Sequence, residues 1–264
     1  MQIFVKTGTS KALEYEACGL RWLAQACDDG GADIATIVEQ TDQSLSTHKV
    51  IESGASKDNA EAFGRSLART HASGAQFFGQ APPAYRHTAG FMGRAPLSLH
   101  LQADYTAGDS WGQWYAVERL EPYLRSSYDR GHFPEAYMDT LSRTIEAIES
   151  RKFDAPQPTL IPSDKVARLH GDLWSGNVLW GTEGAVLIDP AAHGGHAESD
   201  LAQLTVFGAP YVERIYAAYN EVSALAPGWR ERIPLHQLHI LLVHVYLFGG
   251  SYARQTLQAA RSLI

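Results

Sequence analysis

Hydrophobic and polar positions follow two different periods along this chain, and the change of period divides it. Residues 3–6, Ile-Phe-Val-Lys, form a short apolar run that predicts a strand. SKALEYEACGLRWLAQAC (10–27) then sets Leu13, Ala17, Leu20, Ala24 and Cys27 at helical spacing and runs into an Asp-Asp-Gly-Gly stop. IATIVEQ (34–40) and THKVIE (47–52) predict two more strands joined by the polar TDQSLS. Beyond SGASKDN (53–59) the period is helical. AEAFGRSLARTHASG carries Phe63 and Leu67, SWGQWYAVERLEPYLR carries Trp111, Tyr115 and Leu120, and YMDTLSRTIEAIE carries Leu141, Ile145 and Ile148.

Residues 74–109 are rich in Gly, Pro and Ala, lack a period, and read as a long packed loop; DAPQPTLIPSD (154–164) is a second connector. Two short strands, VLWG and AVLIDP, flank the turn TEG, and helices are expected at 211–223 and 234–262. The layout is α+β: a small strand-rich lobe over 1–54, a hinge near 52–56, and a large, mainly helical lobe over 55–264 with one embedded hairpin. The first seven residues, MQIFVKT, repeat the opening of ubiquitin, but the match stops at Thr7 and nothing like ubiquitin follows.

Composition narrows the function. With 264 residues, 45% hydrophobic and 19% charged, the chain has the make-up of an ordinary globular protein. A formal charge of −7 argues against a general nucleic-acid or anionic-membrane binder, which needs a cationic footprint. Cys18 and Cys27 lie nine positions apart, on opposite faces of the expected helix, so they cannot pair and nothing points to an oxidising compartment. No basic-then-apolar leader is visible, and the longest apolar run, ILLVHVYLFGG, is interrupted by His244 and too short for a bilayer. A cytoplasmic location is the expectation.

The chemistry concentrates in RLHGDLWSGNVLWGTEGAVLIDPAAHGGHAESDLAQL. Asp172 is followed five positions later by Asn177, and Asp189 closes the next apolar strand. That is the spacing of a phosphoryl-transfer site: a catalytic-loop Asp, an Asn, and a second Asp beyond a hairpin. Magnesium takes hard oxygen ligands, which the Asn177 amide and the Asp189 carboxylate supply. Asp172 would accept or orient the proton of an attacking hydroxyl. His236, His239 and His244 share one expected helix, but an angular spread of about 140° makes them poor joint ligands and better core residues.

HGDLWSGNVLW followed by LIDPAAHGGHAESDLA resembles the fructosamine kinase (ketosamine-3-kinase) family, in the aminoglycoside-phosphotransferase branch of protein-kinase-like folds. Trp174 and Asp189-Pro190-Ala191 narrow the likeness to that family. SWGQWYAVERLEPYLR and AAYNEV…GWRERIPLHQLHILLVHVYLFGGSY extend it over nearly the whole chain. The resemblance implies a two-lobed kinase-like fold, ATP and Mg2+, and transfer of the γ-phosphate to a sugar hydroxyl. The implied acceptor hydroxyl is the 3-hydroxyl of a ketosamine on a small amine or a glycated protein. A kinase for another small alcohol or amino sugar is the neighbouring reading, and a pseudokinase the one from a different class.

By position, His170 would brace the catalytic loop, Asp172 act as base, and Asn177 and Asp189 hold the metal. Lys6 would contact nucleotide phosphates and pair with a helix glutamate: Glu16, which shares an apolar face with Leu20, Leu23 and Cys27, with Glu14 as rival. Glu52 falls where the hinge would present backbone groups to adenine. Asp200 resembles the structural carboxylate near the loop and Glu198 its neighbour; a plain helix N-terminal acid explains Asp200 equally well. Trp174 reads as a wall against the sugar or a packing residue, and Trp111, Trp114 and Tyr115 as packing residues. The family places two strands and a glycine turn ahead of the lysine strand. Here that strand begins at residue 3, so the expectation is either a start assigned too late or a truncated, impaired or inactive relative without that cover for the phosphates. Weakened nucleotide binding and a bare strand edge, open to pairing with a second copy, are the expectations.

Overall fold

The computed structural model describes residues 2–264. Strand β1 (Ile3–Thr7) leads into helix α1 (Ser10–Ala24), whose first turn is capped by the Thr9 hydroxyl accepting from Ala12 N. Leu13, Tyr15, Leu20 and Leu23 are buried along α1. Strands β2 (Asp33–Ile34), β3 (Ile37–Gln40) and β4 (Ser44–His48) follow. β1, β4 and β3 form an antiparallel sheet in that order, with Lys6 opposite Leu45. β1 is its edge, and Ile3, Phe4 and Val5 are 51%, 53% and 57% exposed.

Helix α2 (Lys57–Ala72), capped by Ser56, is followed by a hairpin of β5 (Ala89–Met92) and β6 (Ala95–Ser98). Helix α3 (Trp111–Tyr115) passes through a π-type turn at Ala116–Leu120 into α4 (Glu121–Asp129), and α5 (Glu135–Glu149) comes next. Strands β7 (Ala167–Leu169), β8 (Val178–Trp180), β9 (Ala185–Leu187) and β10 (His193–Gly195) then frame the chemistry-bearing segment. β8 and β9 form a hairpin, and β7 pairs with β10. Helices α6 (Ala197–Val206), α7 (Val212–Val222), α8 (Ile233–Phe248) and α9 (Ala253–Arg261) complete the chain. α2 lies so close to α7 that a Cβ on Gly64 would meet the Ile215 carbonyl oxygen at 2.3 Å, so only glycine fits there.

Four sequence expectations change. The strand expected at 47–52 keeps only Thr47 and His48: β4 starts at Ser44, inside the polar segment read as a connector, and ends at His48. The Thr41 hydroxyl accepts from Gln43 N and Ser44 N, tightening the turn ahead of it and freeing Ser44–His48 to pair. IATIVEQ is not one strand: β2 runs parallel to β9, whereas β3 joins β4. Residues 74–109 hold the β5–β6 hairpin, whose two-residue Gly93-Arg94 loop with φ +58° at Gly93 is a turn signal of the Gly-X kind. The helix expected over 234–262 breaks at Gly249, which has φ +82°.

Candidate active site

The catalytic loop is held from beneath by a carboxylate. Asp200, fully buried near the start of α6, accepts from His170 N at 2.7 Å and Gly171 N at 2.9 Å. His71 on α2 donates to it through Nε2 at 3.1 Å and takes the Tyr219 hydroxyl at Nδ1, 2.9 Å. Burial works to raise the Asp200 carboxyl, but His71 and the backbone donors outweigh it and hold the group below its ordinary value. Gln203 clamps the same turn, accepting from Leu173 N at 2.5 Å and donating to Gly171 O at 3.2 Å. Gly171 has φ +83°, and a Cβ there would meet the Ala191 carbonyl oxygen at 2.1 Å. The loop therefore requires glycine twice over, for conformation and for space.

His170 braces the loop. Its Nε2 donates to Ile188 O at 2.9 Å and its Nδ1 accepts from Asp172 N at 3.3 Å, while burial lowers its pKa and keeps the ring neutral. Asn177 sits at the entry to β8 and donates through Nδ2 to Asp172 O at 2.8 Å and Asp172 Oδ2 at 3.1 Å. Burial pushes the Asp172 carboxyl up to about 7; the Asn177 hydrogen bond opposes the shift and the Asp189 charge adds to it. Ile188 N donates to Asn177 O at 3.1 Å, which fixes Asp189 beside the loop. Asp189 adopts φ +53°, a left-handed conformation uncommon for any residue but glycine.

Lys6 reaches this carboxylate from β1. Its Nζ lies 2.7 Å from Glu16 Oε2 and 3.1 Å from Asp189 Oδ2. Burial works against the Lys6 charge, but the two carboxylates outweigh it and raise the ammonium pKa. Burial pushes Glu16 up to about 7, with Lys6 opposing. The rival, Glu14, instead faces His87 at 3.6 Å.

Two cavities meet at Lys6, Glu16 and Asp189. One, of about 220 Å³, is lined by Leu20, Ala35, Leu45, Leu179, Ile188 and the segment from Thr47 to Val50, with Glu52 at its rim. The other, of about 620 Å³, adds Asp172, Asn177, Trp174, Tyr15, Phe91 and Arg94. The first is smaller and mostly apolar, suited to a flat ring; the second is lined by the carboxylates. The donor set fits a hard cation: Asn177 spends Nδ2 on Asp172, and neither Asn177 Oδ1 nor Asp189 Oδ1 receives a hydrogen bond from the described residues.

All five residues expected to handle phosphate, base and metal (Lys6, Glu16, Asp172, Asn177 and Asp189) converge here, with His170 behind them. Trp174 lines the larger cavity, half-buried and edge-on to Phe207 at 5.5 Å between centroids. Glu52 is exposed and lines the smaller cavity; beside it Ser53 N and Gly54 N donate to Trp180 O, while the backbone N–H groups of Val50 and Glu52 have no partner among the described residues. Glu198 lines neither cavity. It is buried in an ion pair with Arg232 at 2.6 and 2.8 Å, with His236 at 3.3 Å, and these partners hold it at about 2 against the pull of burial.

His196, Glu198 and His236 come close enough to share a metal, but Arg232 occupies both Glu198 oxygens. Both His196 nitrogens are also taken, by Glu198 N and Ala155 O. Sequence reasoning missed His71, Gln203, Tyr15 (which donates to Ala192 O at 2.9 Å) and the β5–β6 wall. Of these, only the hairpin carried a readable signal, in its Gly-Arg turn.

The fructosamine kinase family model matches residues 1–264. A probable ketoamine kinase of Lactiplantibacillus plantarum is 35% identical over 161 residues, 61% of this chain and 52% of the relative. The chain spans about half the length of the curated relatives it matches. The crystal structure of a Thermobifida fusca protein, provisionally named a fructosamine-3-kinase, is 39% identical with a TM-score of 0.85, covering 99% of this chain and 85% of that one. An aminoglycoside phosphotransferase with bound ADP shares the fold alone: TM-score 0.58 at 11% identity, over 100% and 88% of the two chains. With its kinase-like fold and a match running from end to end, the chain belongs to the fructosamine kinase family.

Proposed function

We propose that the protein transfers the γ-phosphate of ATP to a sugar hydroxyl, with the 3-hydroxyl of a ketosamine as acceptor. The observation that carries this is the convergence of Lys6, Asp172, Asn177 and Asp189 where the two cavities join. Adenine would occupy the smaller cavity and the acceptor the larger, so that the phosphates lie over Lys6. Its ammonium, steadied by Glu16, offsets phosphate charge.

Asp172 orients the acceptor hydroxyl and takes its proton as the oxygen attacks the γ-phosphorus. The bond from that phosphorus to the bridging oxygen breaks, and ADP leaves with the electron pair. Asn177 and Asp189 would hold Mg2+, which supplies neutralisation of charge on the phosphate oxygens. A phosphate at C3 is a good leaving group next to the enaminol tautomer of a ketosamine. Its loss, followed by hydrolysis, frees the amine, so the reading implies repair of glycated amines. No described helix is long and apolar enough to cross a membrane.

The test is ADP release with a synthetic fructosamine, ATP and Mg2+, using Asp172→Asn as control. Turnover by the parent protein and its loss in the variant are expected. Equal background in both would overturn the assignment, and turnover of aminoglycosides or simple alcohols in place of ketosamines would redirect it.

A further inference from the structure

The larger cavity contains one cation without a task. Arg94 stands at the apex of the β5–β6 hairpin, where Met92 pairs with Ala95 and the loop is Gly93-Arg94 alone. The hairpin is firmly seated. Met92, Ala95 and Leu97 are buried, and the Tyr123 hydroxyl donates to Pro96 O. Gly90 packs against the Tyr15 ring so closely that a Cβ would lie 2.9 Å from it. The apex thus has a fixed place over the cavity even though the Arg94 side chain is exposed.

The other charged groups lining this cavity are Lys6, Glu16, Asp172 and Asp189. Lys6 is already shared between Glu16 and Asp189. Arg94 makes no ion pair and no side-chain hydrogen bond with any described residue. Across the floor, Phe91 and Trp174 give aromatic surface of the kind sugar rings lie against.

We propose that Arg94 forms a carboxylate subsite for the acceptor, so that the preferred substrates are ketosamines built on the α-amine of a free amino acid. The inference rests on the kinase reading for the identity of the sugar, but not for the subsite itself. In a ketosamine of an α-amino acid the carboxylate lies two bonds from the glycated nitrogen, a few ångströms from the sugar. Asp172 and Asp189 repel an acidic group at the phosphate end, which leaves the guanidinium as the one place in the cavity that attracts it. A planar guanidinium meets a carboxylate through two parallel hydrogen bonds, a geometry a lysine cannot reproduce.

The experiment is titration calorimetry with N-(1-deoxyfructosyl)glycine and its glycinamide counterpart, which differ only in the carboxylate. The parent protein, Arg94→Gln and Arg94→Lys are compared, with melting curves to confirm that each is folded. The parent is expected to bind the acid about tenfold more tightly than the amide, as a charge-assisted pair at a partly solvated site gives. The ratio should fall to about one in Arg94→Gln and lie between in Arg94→Lys.

An acid-to-amide ratio of one in the parent, or the same ratio in parent and Arg94→Gln, overturns the subsite. So does a loss in Arg94→Gln that appears in ATP affinity instead, since the guanidinium would then serve the nucleotide. Turnover is measured separately. Arg94-dependent binding without ADP release removes the kinase reading and leaves the subsite; turnover without an Arg94-dependent ratio removes the subsite alone. If neither ligand binds, both fall.

Discussion

Two carboxylates flank the same loop and meet opposite fates. Beneath it, Asp200 is saturated with donors: two backbone N–H groups and the His71 ring. At its mouth, Asp172 has one side-chain donor, Asn177, and a carboxylate neighbour in Asp189. Asp200 is fully buried and Asp172 only partly so, and desolvation alone would therefore raise Asp200 the more, so it cannot explain the difference. The count of donors does: burial with donors fixes a charge, and burial without them leaves a group that titrates near neutrality. The underside is a mount, and the mouth is where a proton can move.

The sharpest way to break that contrast is to remove the mount. Asp200→Ala strands two buried N–H groups and His71, and should cost roughly 3–5 kcal/mol, as loss of one partner from a buried charged network does. Urea unfolding of the variant measures it, and a loss below about 1 kcal/mol would mean that Gln203 and Gly171 hold the loop without the carboxylate. The pH dependence has the usual carboxylate sign. The folded pKa is depressed, so the stability Asp200 contributes is present above its unfolded pKa and lost as pH falls through the folded one.

At the mouth the sign reverses. Asp172 has a folded pKa raised to about 7, so the folded state holds a proton that the unfolded chain has already released. Its cost to stability appears as pH rises from the unfolded value near 4 through 7. Asp172→Asn should therefore stabilise the fold at pH 8, by on the order of 4 kcal/mol, and leave stability at pH 4 nearly unchanged. The same variant should lower kcat about 10²–10⁴-fold if the carboxylate is the base. For the parent, kcat/KM should rise about tenfold per pH unit up to about 7 and then level off. A flat profile over pH 5–8 would remove Asp172 from proton transfer while leaving its orienting role intact.

What the sequence disclosed follows the same division. Asp172, Asn177 and Asp189 were legible because their spacing sets a loop and a hairpin, both local structures. Lys6 was legible only through the family resemblance, since alone it reads as a solvated edge-strand lysine; Glu16 was then preferred to Glu14 because a carboxylate on the apolar face of an amphipathic helix needs a partner. His71 was not: it lies 129 positions from Asp200 and reads as a helix residue until α2 and α6 are packed. Gln203 and Tyr15 were hidden for the same reason, since each acts on a backbone group whose position depends on tertiary contacts. β4 was misplaced because Thr41 makes its turn through a side chain, which hydrophobic alternation does not register.

The smallest expected effects separate the two glutamates of α1. The Glu16 side chain is only 13% exposed against Lys6, whereas that of Glu14 is 38% exposed, 3.6 Å from His87. In Glu16→Gln the ammonium keeps Asp189 as partner, so a loss of about tenfold in kcat/KM for ATP is expected, the size of one charge-assisted hydrogen bond. Lys6 then neutralises Asp189 more completely, so the loss should appear in KM for ATP before kcat. Glu14→Gln should move neither constant by more than about twofold, because an exposed ion pair is worth little. Equal effects from the two variants would mean that Lys6 leaves Glu16 when nucleotide binds. The pairing seen between β1 and α1 would then belong to the resting site alone.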